Sequence, residues 1–238
     1  GVIGAIDGPT SIYVSGILAP QLLGPITVAA YSYMALVPLI MPPVMRLLTT
    51  EKERKIRMTY GGRTVSRRTR IVFPVAVTMV VGILVPFATP LVGSLMLGNL
   101  MRESLVVERL THASANEIAN VVTLFLGLAI GSTMVGETFL LPSTLAILVL
   151  GILAFALDSA AGIVFAKGIN SVSGGTFNPL IGAAGISAFP MAARVVQRVA
   201  QQDDFENFPL MHAMGANAAG QVASTVAGGV LLALFAVG

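Results

Sequence analysis

Between Asn178 and Arg194 the chain reads NPLIGAAGISAFPMAAR, an apolar segment that cannot continue as one smooth helix. Asn178 followed by Pro179 has the form of an N-cap with proline at the first helical position, so a helix starts there. Gly182, Gly185 and Pro190 then weaken or break it within about three turns. In an apolar chain the setting for such a break is the middle of a bilayer. There, freed backbone groups are tolerated only where they are buried in protein or line a polar cavity. With Asn178, Ser187 and Arg194 in the same segment, the pattern is that of a transport site rather than a plain span.

The bilayer setting rests on composition. Hydrophobic residues make up 55% of the chain and charged ones 11%, against roughly 25% charged in a soluble domain. Mean hydropathy is +0.86. Several runs reach the roughly 20 apolar residues needed to cross the hydrocarbon core, so an all-α polytopic membrane protein is expected, with about six or seven crossings. The chain has no cysteine, which excludes disulfides and thiolate metal sites. Gly1 and Val2 open inside apolar sequence without the features of a signal peptide, and the expectation is that the natural beginning lies upstream. The net charge of +3 does not point to nucleic acid, because nine of the fourteen basic residues fall between Arg46 and Arg70. That is one juxtamembrane loop, placed in the cytoplasm by the positive-inside rule.

Four regions follow. Residues 1–45 hold a first interrupted segment, IGAIDGPTSIYVSGILAP, and a span over Ile26 to Met45. Asp7, with Gly8 and Pro9 after it, sits either in a break at membrane depth or at an interfacial turn. Pro38, Pro42 and Pro43 imply a bent or unwound end to the span. Residues 46–70 are the basic loop, with a turn at Gly61 and Gly62. Residues 71–166 are membrane helices: a span over Ile71 to Ala88, a short run to Met101 that either re-enters or crosses, and a span over Ser143 to Ala166 holding Asp158. Residues 167–238 hold the second broken segment and a final span over Pro209 to Val237.

Two polar stripes cross these helices. His112, Asn116, Asn120, Thr123 and Gly127 occupy one helical stripe about 80° wide. It is either a packing seam with small and polar residues as glue or a wall of an ion pathway. Asn217, Gln221, Ser224 and Gly228 form a second seam on the final span. The two broken segments share IGA, at Ile3 to Ala5 and Ile181 to Ala183, each followed by a polar residue and a proline. Paired Gly/Pro-interrupted segments point to an inverted-repeat transporter bundle, provided the run at Leu91 to Met101 does not cross.

A sodium site wants hard oxygen ligands, and Asp7, Asn178, Ser187 and carbonyls freed near Gly182 and Gly185 form such a set. A charge at the helix centre costs roughly 2.5 to 3.5 kcal/mol even on the mild insertion scale, which makes Asp7 a functional candidate by default. Arg194 either snorkels to an interface or faces the site as a counter-charge. Asp158 either pairs with a neighbouring polar seam or marks a second ion position. No zinc-ligand spacing surrounds His112 or His212, and no P-loop, GxSxG or GxGxxG is present.

The blocks IDGPTSIYVS, LLGPITVAAYSYMALVP, PPVMRLLTT, MLGNLMRES, FLGLAIGSTM, NPLIGAAGISAFPMAARVVQ and LMHAMGANAAG resemble the β subunit of the sodium-pumping, biotin-dependent decarboxylases. The resemblance runs over essentially the whole chain and corresponds to the C-terminal part, roughly two-thirds, of that subunit. It implies that a biotin-carrying carboxyltransferase α subunit presents carboxybiotin from the cytoplasmic side of the plasma membrane. Decarboxylation there consumes a proton and drives Na+ outward. By position, the resemblance implies sodium-site roles for Asp7, Asn178, Gly182, Ser187 and Asn217, and catalytic roles for Arg194, Tyr33 and Ser187, with Arg194 holding the carboxylate of carboxybiotin and the Tyr33 and Ser187 hydroxyls ligating sodium or relaying a proton. The family motif HAMGPN reads HAMGAN here, with Ala216 in place of proline beside Asn217. A small membrane γ subunit, a homo-oligomer and membrane lipid are the further partners implied, and no nucleic acid. The other reading is a stand-alone sodium-coupled secondary carboxylate transporter of the same architecture.

Overall fold

The computed structural model describes residues 4–59, 65–132, 134, 136 and 141–235, and the regular structure among those residues is all helical. The turn expected at Gly61 and Gly62, the IGA match from Ile3 and the end of the final span at Val237 lie outside or partly outside them. In order come α1 (Gly8–Leu18), α2 (Leu23–Leu48), α3 (Glu51–Arg54), α4 (Arg67–Leu84), α5 (Thr89–Ser104), α6 (Glu108–Ala113), α7 (Ala119–Ser132), α8 (Pro142–Val172), α9 (Met191–Asp203) and α10 (Leu210–Phe235). Among the described residues, four helices are long and apolar enough to cross a membrane: Pro20–Leu48, Glu108–Ser132, Pro142–Val172 and Leu210–Phe235. The third carries Asp158 at its middle, as the sequence places it.

α2 stays helical through Pro38, Pro42 and Pro43 to Leu48, so its end is not unwound. One face of it explains why: Tyr33, Val37, Met41 and Met45 recur every four residues and are fully buried. Packing of that stripe against α8 and α9 outweighs the lost amide donors. The stretch expected as one span over Ile71 to Ala88 divides. α4 ends at Leu84, a 3-10 turn over Pro86–Ala88 follows, and α5 returns along α4. Arg70 pairs with Glu103 at 3.0 Å and Arg67 donates to the Ser104 carbonyl at 2.8 Å. The start of α4 and the end of α5 therefore lie together, and the pair forms a helical hairpin.

Backbone approaches backbone at the centre. The segment after Asn178 is a 3-10 helix over Pro179–Ala184, and it packs on α8 and α10. A Cβ on either Gly162 or Gly182 would clash with the other's carbonyl oxygen. One on Gly220 would stand 2.5 Å from the Gly185 oxygen and 2.7 Å from that of Ile186. Small residues are what let membrane helices close to this distance.

At one end, charges tie the basic stretch to the α9–α10 connection. Arg46 is in the last turn of α2, and Arg54 is buried, ion-paired with Asp203 and donating to the Thr49 carbonyl at 2.6 Å. Arg57 bridges Asp204 at 2.6 Å and Glu206 at 2.8 Å, and Lys167 of α8 reaches Glu53 at 3.3 Å. The hydrogen bonds from Arg57 hold the Asp204 carboxyl below the usual carboxylate range.

Four substitutions test this arrangement in the purified full-length complex. Arg54→Ala leaves Asp203, among the described residues, with only Arg46, at 4.0 Å, and the Thr49 carbonyl without its donor, and lowers stability by about 3 kcal/mol, read as a lower thermal midpoint. Asp204 has a depressed folded pKa, so its pairing stabilises at neutral pH and is lost only as pH falls below the usual carboxylate range. The midpoint difference between wild type and Arg57→Ala therefore closes below about pH 4. Gly220→Val forces α10 off the 3-10 segment and costs about 1–3 kcal/mol, whereas Gly215→Val, with open space around its Cβ, leaves the midpoint within about 0.5 kcal/mol of wild type.

Candidate functional site

Asp7 is the N-cap of α1. Its Oδ1 accepts the Thr10 amide at 3.0 Å, and its Oδ2 accepts the Ser224 hydroxyl from α10. Asp-Gly-Pro-Thr folds this way for two reasons. Aspartate caps well and proline is tolerated in the first turn, and the positive end of the α1 dipole favours the carboxylate. The residue before it, Ile6, is buried with φ at 56°, left-handed and unfavourable for a β-branched side chain. This strained turn presents the Asp7 carboxylate, itself 7% exposed, to a cavity of about 200 Å³. Ser187, Gln221 and Thr225 line the same cavity.

The second broken stretch meets the first directly. The Ser187 amide donates to the Ala5 carbonyl at 2.9 Å, so residues 5–7 and 185–187 lie side by side. Asn217 of α10 donates Nδ2 to the Ile186 carbonyl at 2.6 Å. Its Oδ1 is buried and makes no hydrogen bond among the described residues. A buried amide oxygen left without a donor costs about 1–3 kcal/mol unless something electropositive satisfies it. Asp7 and Ser187 thus share one cavity, joined by the Ser187 to Ala5 bond, while Asn217 is tied to Ile186 beside Ser187 and does not line that cavity. Gly228 of that seam lies against Thr10 of α1.

The other residues singled out in the sequence lie elsewhere. Asn178 caps the 3-10 helix, its Oδ1 accepting from Leu180 at 3.0 Å and its Nδ2 donating to the carbonyls of Arg54 at 3.1 Å and Ile56 at 2.9 Å. Asn207 donates to the same two carbonyls, at 2.9 and 3.2 Å. The Gly182 carbonyl accepts the Gly185 amide at 3.0 Å. Tyr33 is buried, with its hydroxyl donating to the carbonyls of Leu148 at 2.7 Å and Ile147 at 3.2 Å on α8. Arg194 is exposed in the first turn of α9, does not line the Asp7 cavity and has no ion-pair partner among the described residues. Asp158 is exposed on α8 and lines a cavity of about 320 Å³ with Gly185, Gly220 and Ser224.

Of the first polar stripe, Thr123 and Gly127 face a cleft against α2, and His112, Asn116 and Asn120 are exposed. Ser224, Thr10 and Tyr31 were not singled out for the site by residue type. The signal available for Ser224 was its position seven residues after Asn217, on the same helical face.

The match with known proteins runs along nearly all of the chain. The family described as Na+-transporting oxaloacetate decarboxylase beta subunit matches residues 1–235. The oxaloacetate decarboxylase beta chain 2 of Salmonella typhimurium is 57% identical over 98% of this chain and 53% of its own length. The methylmalonyl-CoA decarboxylase subunit beta of Propionigenium modestum is 55% identical over 99% of this chain and 59% of its own. The corresponding subunit of Veillonella parvula is 53% identical over 98% and 62%. The chain spans about half the length of the curated relatives it matches. By the extent of these matches, it belongs to the Na+-transporting oxaloacetate decarboxylase beta subunit family.

Proposed function

We propose that this chain is part of the membrane subunit of a sodium-pumping decarboxylase, and that the Asp7 cavity is where Na+ is held on its way out of the cell. The observation that carries the reading is the meeting of the two interrupted stretches at a carboxylate. Asp7 and Ser187 line one cavity and are joined by the Ser187 to Ala5 bond, Asn217 is bonded to Ile186 beside Ser187, and an acceptor oxygen on Asn217 is left unsatisfied. Carboxylate, hydroxyl and amide oxygens are the hard neutral and anionic donors that a small cation prefers. Asp7 supplies the charge, and Ser187 and Asn217 supply neutral oxygens. Asn178 and Gly182 complete the set through the 3-10 segment, whose position they fix by the cap and by the contact with Gly162.

In this reading a biotin-carrying α subunit presents carboxybiotin at the face of the basic stretch 46–70, taken as cytoplasmic from its positive charge. Arg194, exposed and unpaired among the described residues, receives the carboxylate, and the hydroxyls of Tyr33 and Ser187 serve the proton that decarboxylation consumes. A γ subunit and further copies of this chain surround it in the lipid. The two interrupted stretches are corresponding halves of an inverted repeat, with the α4–α5 hairpin entering and leaving on one side. Each charge moved outward against 100 mV costs about 2.3 kcal/mol, so coupling requires decarboxylation to proceed only with the site occupied.

Sodium-22 uptake into inverted vesicles holding the full complex tests this. Uptake driven by the carboxylated substrate is expected to be abolished by avidin and by Asp7→Asn. Uptake that survives avidin and follows a substrate gradient instead would establish a secondary carboxylate transporter.

A further inference from the structure

The Asp7 cavity contains a phenol that the reading above does not use. Tyr31 of α2 lines it together with Asp7, Ser187 and Gln221. Its ring lies over the residue that follows Asp7: a methyl group on Gly8 would stand 2.7 Å from Tyr31 Cζ and 3.0 Å from its Oη. The ring reaches the capped end of α1 because residue 8 has no side chain. The Tyr31 hydroxyl makes no hydrogen bond among the described residues, in contrast to Tyr33, whose hydroxyl donates to the α8 backbone at 2.7 Å. Two residues along a helix point about 200° apart, so only one of this pair can face Asp7.

Tyr31 also borders the second cleft, of about 370 Å³, with Thr27 of α2 and Thr123 and Gly127 of α7. Among the described residues it is the one side chain lining both spaces. The partition between them is therefore an amphipathic ring with an uncommitted oxygen. A phenol oxygen carries lone pairs and no charge. It adds a neutral ligand without adding to the charge that Asp7 already balances.

We propose that Tyr31 is a further binding residue of the Asp7 site, its phenol oxygen completing the shell of the monovalent cation from the α2 side. The proposal rests on the reading of Asp7 as the sodium carboxylate.

The test is the sodium dependence of decarboxylation by the full complex. Tyr31→Phe is expected to raise the KM for Na+ by about tenfold while leaving kcat within about twofold, because the ring and its packing are kept. Gly8→Ala, which displaces the ring with its hydroxyl intact, raises the same KM. The double variant shows less than the product of the two effects, as coupled positions do. A wild-type KM for Na+ in Tyr31→Phe overturns the proposal, and so does full additivity in the double variant. If Tyr31→Phe does not assemble, a wild-type KM in Gly8→Ala overturns it alone. Asp7→Asn separates the two claims. If it keeps the wild-type KM, the reading of the Asp7 site fails; if it removes sodium dependence while Tyr31→Phe matches wild type, only the role of Tyr31 fails.

Discussion

A carboxylate placed among apolar helices has to be solvated by the protein itself, and the rest of the fold follows from how that is done for Asp7. One oxygen is met by the α1 amide of Thr10 and the other by the hydroxyl of Ser224 on α10. For Ser224 to reach, α10 must lie close to α1, which the small residue Gly228 allows against Thr10. For Ser187 to arrive, the 3-10 segment must wedge between α8 and α10, which Gly162, Gly182 and Gly220 allow by offering backbone where a side chain would clash. The glycines bring polar backbone against the middle of two membrane-length helices, and the polar seam on α10 meets it there.

The other end of the segment is fixed by a different device. Asn178 and Asn207 both donate to the carbonyls of Arg54 and Ile56. Arg54 is in turn held by Asp203 and the Thr49 carbonyl. The short helix α3 therefore clamps the entrance of the 3-10 segment to the α9–α10 connection. A movement of the basic stretch would be felt at Asn178 and, five to nine residues on, at the carbonyls and hydroxyl beside Asp7. In the proposed reading, this chain of contacts would join the face where a carboxylated group arrives to the cavity where an ion is held.

Much of this was readable from residue types. Asn178 followed by proline announced its cap, while Asp7 followed by glycine and proline fitted either a break at membrane depth or an interfacial turn, and the structure makes it the N-cap of α1. The spacing of Asn217, Gln221 and Ser224 announced the face of α10 that meets them. What could not be read is what long-range packing decides. Three prolines implied a bent or unwound end to α2, and a fully buried stripe keeps it helical to Leu48. A run of basic residues reads as a solvated loop, and nothing local says that Arg54 is buried against Asp203, 149 positions away. Resemblance selects Tyr33 from the pair in AYSYM. The rotation of α2 about its axis, set by contacts with α8, is what turns Tyr33 to the α8 backbone and Tyr31 to Asp7.

The central claim is that a cation is held at Asp7 by oxygens from both interrupted stretches. Equilibrium sodium-22 binding to the purified full complex, without substrate, tests it most directly. The account predicts saturable binding in wild type, weakened at least about tenfold in both Asp7→Asn and Asn217→Ala, which draw on different stretches of the chain. Unchanged affinity in Asp7→Asn would contradict it.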